Sequence, residues 1–505
     1  MAGEKERAAT LAALATFPFL VAVTITIMMG AFVFLASMVS ITILCLYLIA
    51  SWRRQKGEER KRASIFTMYL CVFVLPLVVA AVYSVEVANY FGPDFSIYSA
   101  IVSFSLALTF TYTFLNVPLT IYHKRLEGSV GQPASFPLLS IIVPAYNEEK
   151  SISKVLDSLL EADYPSKEII VVDDGSIDNT FAAASQHAKK FQEQGIHYSV
   201  ISKPENSGKP SAINHGLLFA NGEYIVTVDA DSIVGRDALK IIVKYFQNPN
   251  VAGVGGNVKV LNRVGLLTNC QALEYLVGIN LWRRAFDIFG VVMVVPGALG
   301  AFSKRVLRQT GSYDKDTLTE DFDITIKALK CGRVVQASAG ALAFTEAPAT
   351  VRDLYRQRIR WYRGNMQTFV KHKDIATNSR FGMLRNYGYP ITVFTMLMLP
   401  MLGIMIGAAG VLALLEGMWL FMLLSFLVFT SLQFVLSAIA LLVDEEDDWK
   451  IILYSPLMVV GYKHLIDIMI IKGVLDVAFR SKSLKWTSAK VPEKREPELR
   501  KQART

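Results

Sequence analysis

Hydrophobic residues in this chain gather in long runs before Tyr122 and after Tyr389, while the segment between alternates charged and apolar positions as a folded domain does. Ala8 to Ser51 is one apolar stretch. About twenty residues cross a bilayer, so it is either a hairpin turning near Gly30, the arrangement we favour, or one span with an interfacial lead-in. Ile65–Tyr90 and Ile97–Tyr122 predict further spans, joined at Phe91-Gly92-Pro93-Asp94, where the Gly-Pro pair marks a turn. Beyond the central segment, Tyr389–Leu415 and Gly417–Val443 predict two more spans, followed by the acidic run Asp444-Glu445-Glu446-Asp447-Asp448. The last apolar stretch, Ile451–Phe479, is broken by Pro456 and studded with Lys463, His464, Asp467, Lys472 and Asp476; it lies in the interface, re-enters, or lines a polar conduit.

In the middle, the short β-branched runs Leu138–Val143, Glu168–Val172, Tyr198–Ile201 and Tyr224–Val228 alternate with helical patterns through Val155 and Leu159, from Asp178 and from Ser211. Such alternation predicts right-handed crossovers and a mostly parallel, doubly wound α/β sheet of the nucleotide-binding kind. The expected division is N-terminal membrane helices over 1–125, a cytosolic catalytic domain over 126–365, an interface helix over 366–388, membrane or re-entrant helices over 389–480, and a cytosolic tail over 481–505.

Composition agrees: 52% of the 505 residues are apolar, too many for an ordinary soluble protein. The net charge of +9 sits partly beside apolar runs, as in Arg53-Arg54-Gln55-Lys56 and Arg60-Lys61-Arg62, which places that loop and the central domain in the cytosol of a multi-pass plasma-membrane protein. No base-reading module accompanies the charge, so no nucleic-acid partner is expected. The four cysteines, Cys45, Cys71, Cys270 and Cys331, lack metal-type spacing and read as reduced structural thiols. The first apolar run is longer than a signal-peptide core and is expected to remain in the mature protein.

Ligands of open α/β sheets bind beyond the carboxyl ends of the strands. Those ends carry Pro144-Ala145-Tyr146-Asn147-Glu148, Asp173-Asp174-Gly175-Ser176 and Asp229-Ala230-Asp231. Carboxylates one residue apart at the end of a buried strand can hold Mg2+ or Mn2+ against a nucleotide-sugar diphosphate, although a lone Asp-x-Asp is more often a solvated turn. Asp173 and Asp174 can read a base edge or ribose hydroxyl, or merely form an Asp-Gly turn. Tyr146 can pack on a nucleobase with Asn147 and Glu148 as polar readers, and Lys209, behind Asn206-Ser207-Gly208, suits a phosphate. Thr319-Glu320-Asp321-Phe322-Asp323 opens a helix; the acids suit its dipole, and Asp321 is the candidate base that takes the acceptor proton, tuned by Glu320. In Gln357-Arg358-Ile359-Arg360-Trp361, helical spacing lets Gln357, Arg360 and Trp361 share a face, where a guanidinium clamps diphosphate and an indole stacks on sugar. The competing reading of that segment is a basic amphipathic helix on anionic lipid.

In this order, Asp-Asp-Gly, Asp-x-Asp, Thr-Glu-Asp and Gln-Arg-x-Arg-Trp resemble the processive membrane glycosyltransferases of family two, the group of hyaluronan, chitin, cellulose and poly-N-acetylglucosamine synthases. Thr319–Asp323 and Gly297-Ala-Leu-Gly-Ala-Phe302 look closest to the poly-N-acetylglucosamine synthases. The resemblance implies a GT-A fold, Asp173 or Asp174 at uridine, Asp229 and Asp231 at diphosphate and metal, Asp321 as base, Arg360 on the diphosphate, Trp361 under the acceptor and Gln357 and Arg358 as further acceptor contacts. It also implies that Val295-Pro296-Gly297-Ala298 lines the acceptor pocket and that Lys485–Lys490, with Trp486, Thr487 and Lys490, gates bound nucleotide. The expected activity is inverting, processive transfer from a UDP-sugar, UDP-N-acetylglucosamine first, to a growing polysaccharide, with no accessory subunit specified. A nonprocessive enzyme acting on a lipid carrier and an inactive polysaccharide-binding or transport protein are the alternatives.

Overall fold

The computed structural model describes residues 94–479 except 128–130, 132, 134 and 445. The expected spans within Ala8–Ser51 and Ile65–Tyr90, the Arg53–Arg62 loop, Cys45, Cys71 and the Trp486, Thr487 and Lys490 segment lie outside the described residues. In chain order the elements are α1 (Asp94–Glu127), β1 (Leu139–Ala145), α2 (Ile152–Glu161), β2 (Lys167–Asp173), α3 (Thr180–Ser185), α4 (Ala188–Glu193), β3 (His197–Ser202), α5 (Lys209–Leu217), β4 (Tyr224–Thr227), β5 (Ser232–Val234) and α6 (Ala238–Lys244). There follow β6 (Val251–Val260), α7 (Leu266–Glu274), α8 (Trp282–Ile288), β7 (Gly300–Ser303), α9 (Lys304–Thr310), α10 (Glu320–Lys330), β8 (Val334–Thr345), α11 (Val351–Lys371), α12 (Tyr389–Leu415), α13 (Trp419–Asp444) and α14 (Tyr462–Phe479). These residues form two compact units.

The larger unit takes His123–Tyr275, Phe286–Tyr389 and 472–479, and holds an eight-stranded sheet in the order β3-β2-β1-β4-β7-β6-β8-β5. The expected parallel pattern holds from β3 to β4. Beyond β4 antiparallel pairs enter: β4–β7, with Thr227 opposite Gly300, β6–β7 and β5–β8 are antiparallel, while β6 and β8 run parallel, so four of the seven pairings keep the expected parallel sense. The sheet is mixed. β2 and β6 are buried along their whole lengths, as strands covered on both faces must be, which explains the Ile-Ile-Val-Val run of β2 and the valines, alanine and glycines of β6. Leu139, Ile141, Val143, Ile169, Val171, Val226 and Leu299 lie in a core closed by Leu156 and Leu159 of α2 and Phe191 of α4. The parallel register sets Ala145 beside Asp173, so the loops after β1 and β2 leave the sheet at one level.

The expected interface helix over 366–388 is not a separate element. α11 runs unbroken to Lys371; 3-10 turns at Lys373–Ala376 and Ser379–Phe381 and a π-turn at Leu384–Gly388 follow. Gly382, at φ +49°, stands where this path bends.

The other unit takes 94–122, Leu276–Ala285 and Pro390–Ile471. The ring of Tyr112 lies 4.8 Å from that of Trp282. Gly403 and Gly407 of α12 give close passage to Asp467 and His464 of α14. Asp467 is paired with Lys463 at 2.5 Å, so the charges in the last apolar stretch meet one another rather than bare hydrocarbon. Among the described residues, Leu384–Leu415 and Ser425–Asp444 are helical, long and apolar enough to cross a membrane.

Candidate active site

The loops that leave the sheet beside one another are laced together. The Asn147 amide donates to Ser176 Oγ at 2.9 Å, Ile177 N donates to Asn147 Oδ1 at 3.0 Å, and Glu148 N donates to Thr180 Oγ1 at 2.8 Å. The two aspartates after β2 divide their roles. Asp173 turns back on its own loop, accepting from Ser176 N at 3.1 Å and Ser202 Oγ at 3.2 Å. Asp174 accepts from Gly208 N at 2.7 Å and Ser207 N at 3.1 Å and is paired with Lys203. Gly175 is in the left-handed region at φ +72°, and a Cβ there would collide with the backbone of Glu205 and Asn206.

Gly208, at φ +90°, turns the chain into α5 and delivers Lys209 beneath the end of β4. Its ammonium lies 2.6 Å from Asp229 Oδ1 and 3.1 Å from Glu320 Oε1, joining the strand-end aspartates to the start of α10. Against the burial that would lower it, Asp229, Glu320 and Asp321 hold this lysine above its ordinary range. Burial and the adjacent Glu320 push Asp321 up to about 6, opposed by Lys209. A carboxyl poised there can exchange a proton near neutral pH.

A cavity of about 380 Å³ opens over these strand ends. Of the residues singled out by sequence, Ala145, Tyr146, Glu148, Asp174, Lys209, Asp229, Asp231, Gln357 and Arg360 line it. Gln357 and Arg360 are three apart on α11 and share its cavity face, as their spacing requires.

Asp173, Glu320 and Asp321 are not in the cavity wall, and three more residues stand elsewhere than expected. Arg358, taken as an acceptor contact, is buried to 1% exposure and paired with Glu274 at 2.7 Å; one residue along from Gln357, it points into the domain. Trp361 is not among the lining residues: the Arg358 guanidinium lies over its ring, 4.3 Å from the centroid. Gly297, also taken as an acceptor contact, faces Lys209 and Asp229: a Cβ there would press on Lys209 Nζ and lie 3.3 and 3.4 Å from the Asp229 carboxylate oxygens.

Sequence reasoning missed part of the wall. Asn262, Glu346, Ala347, Pro348 and Asp353 also line the cavity, and Asn262 ties the loop after β6 to that after β8 through two 2.8 Å bonds with Ala347. A strand end followed by Glu-Ala-Pro was the available signal; Glu274, far from any motif, left none.

Comparisons with known proteins converge on this domain. Residues 140–309 match the family model described as Glycosyl transferase family 2. A poly-beta-1,6-N-acetyl-D-glucosamine synthase of Staphylococcus epidermidis is 29% identical over 250 residues, 49% of this chain and 57% of that protein. The synthase of the same name from Staphylococcus aureus strain COL is 30% identical over 234 residues, 46% of this chain and 56% of that protein. The chain thus spans little more than half the length of these curated relatives. Among solved structures, the mannosyltransferase PcManGT from Pyrobaculum calidifontis, in complex with GDP-Man and Mn2+, aligns with a TM-score of 0.50 at 20% identity, covering 76% of this chain and all of that one. That likeness concerns the fold and agrees with a GT-A-like mixed sheet. By sequence, motif order and architecture together, residues 140–309 resemble glycosyl transferase family 2, and the chain is similar to the poly-beta-1,6-N-acetyl-D-glucosamine synthases.

Proposed function

We propose that the chain is an inverting, processive glycosyltransferase that moves a sugar from a UDP-sugar, UDP-N-acetylglucosamine first, to the end of a growing β-linked polysaccharide. One observation carries this reading: Asp229, Glu320 and Asp321 meet around Lys209, and Lys209 and Asp229 line a cavity together with Asp174, Asp231 and Arg360. Asp174 and Tyr146 serve the nucleoside, and Lys209 and Arg360 the diphosphate. Asp229 and Asp231 offer hard oxygen donors at the cavity, so they fit Mg2+ or Mn2+. Bound there, the ion neutralises charge on the departing diphosphate.

Asp321 accepts the proton of an acceptor hydroxyl as that oxygen bonds to the anomeric carbon. The bond from that carbon to the diphosphate oxygen breaks on the opposite face, and UDP leaves with the electron pair. One displacement inverts the anomeric centre. The two apolar helices favour a membrane-embedded enzyme, and we place it in the plasma membrane as a multi-pass protein with the site in the cytosol, its apolar helices flanking the polymer's exit.

The test is purified full-length protein with UDP-N-acetylglucosamine and Mn2+, followed by UDP release and product length. Long products are expected, and none from Asp321→Asn. Single additions only would remove processivity; an active Asp321→Asn would remove the assignment of the base.

A further inference from the structure

Asp323, two residues beyond Asp321, has no part in the chemistry above, yet it is fully buried. Its carboxylate meets two groups at the end of α11: the Lys371 ammonium at 3.0 Å and His372 Nε2 at 2.8 Å from Oδ1. The same ammonium reaches Asp314 at 2.7 Å and Asp316 at 2.8 Å, in the strap that leads into α10. These carboxylates lie close enough together to share a cation, and Lys371 supplies it. Two further contacts fasten the strap to α11. Gln367 Oε1 accepts from Leu318 N at 3.1 Å, and Gly364 lets Thr319 approach so closely that a Cβ would lie 2.7 Å from the Thr319 amide nitrogen.

We infer that Asp323, Lys371 and His372 form a clamp that sets the rotation of α10 about its axis, making Asp323 and Lys371 positioning residues for Asp321. This rests on the reading of Asp321 as base. Residues two apart on a helix point about 200° away from each other, so a carboxylate pinned on the α11 side fixes where its neighbour faces toward Lys209. A side-chain oxygen sits roughly 5–6 Å from the helix axis, and a turn of about 10° displaces it by roughly 1 Å. A misplacement of that size costs on the order of 10²-fold in rate. No contact of the clamp touches Asp174, Asp229 or Asp231, so donor binding is left alone.

The experiment compares full-length parent, Lys371→Met, Lys371→Arg and Asp321→Asn for UDP release from UDP-N-acetylglucosamine with Mn2+, with thermal melting of each. Lys371→Met is expected to lower kcat about 10- to 100-fold with KM for the donor changed less than about 3-fold. Lys371→Arg, which keeps the charge, is expected to restore most of the rate. A parental kcat in Lys371→Met beside an inert Asp321→Asn overturns the clamp and leaves the base assignment standing. A loss in kcat that follows the fraction unfolded, with Lys371→Arg no better than Lys371→Met, overturns it as well. An active Asp321→Asn removes the reading beneath it.

Discussion

Gly297→Ala isolates the close packing over the donor side of the cavity. The backbone at Gly297 is not in the left-handed region, so alanine adds no dihedral strain, and the substitution tests space alone. The added methyl would overlap Lys209 Nζ, and ordinary contact between such atoms is about 3.5–4 Å, so the ammonium must retreat by roughly 1 Å or more. It has little room, because Asp229 at 2.6 Å and Glu320 at 3.1 Å hold it from two sides. A charge-assisted hydrogen bond contributes about 1.5–3 kcal/mol, so displacing this one should weaken donor binding about 10- to 100-fold. The same displacement lowers global stability by at most about 1.5–3 kcal/mol, partly offset by about 0.4–1 kcal/mol that alanine gains from the unfolded chain, so the protein should still melt within a few degrees of the parent. Titration calorimetry with UDP-N-acetylglucosamine and Mn2+, beside thermal melting, separates the two effects. Parental affinity in a Gly297→Ala protein that melts normally would refute the reasoning.

Three further outcomes follow from the site. Asp321 has its folded pKa raised to about 6, so its ionisation opposes folding increasingly from about pH 4 to 6 and at full strength above; Asp321→Asn should therefore melt a few degrees higher than the parent at pH 8 and about level at pH 4, and equal gains at both pH values would count against the raised pKa. Removing the partner of a buried guanidinium costs about 3 kcal/mol or more, so Glu274→Ala should lower stability by that order in chemical denaturation, and a loss under about 1 kcal/mol would show that Arg358 does not depend on it. Asp231→Asn should weaken Mn2+ binding in the presence of UDP at least about 10-fold by titration, whereas unchanged affinity would remove Asp231 from the ion's ligands.

The parallel half of the domain was readable because its strands are short β-branched runs, each ending in polar residues that the fold had to bring to one edge. Ala145, Asp174 and Asp229 were placed by that periodicity alone. The mixed half was not, since β7 is four residues, Gly300–Ser303, with no alternation to announce it, and its partner is chosen by tertiary packing. The same distinction separates the site residues. Gln357 and Arg360 share a face by helical arithmetic, but the inward turn of Arg358 depends on Glu274, more than eighty positions away. Gly297 carries no side chain to advertise its role; only the neighbouring Lys209 and Asp229 reveal which wall it belongs to.

At 1.5 Å per residue, the 21 residues of α11 make a rod about 30 Å long. Its first half presents Gln357 and Arg360 to the cavity, and its last turn holds the helix that carries Asp321. Alignment of the two is consequently a property of the scaffold, present before any ligand arrives. On the proposed reading, a polymer advancing between successive additions would meet a base and a diphosphate clamp that move as one body, so their spacing would not have to be rebuilt with each new sugar.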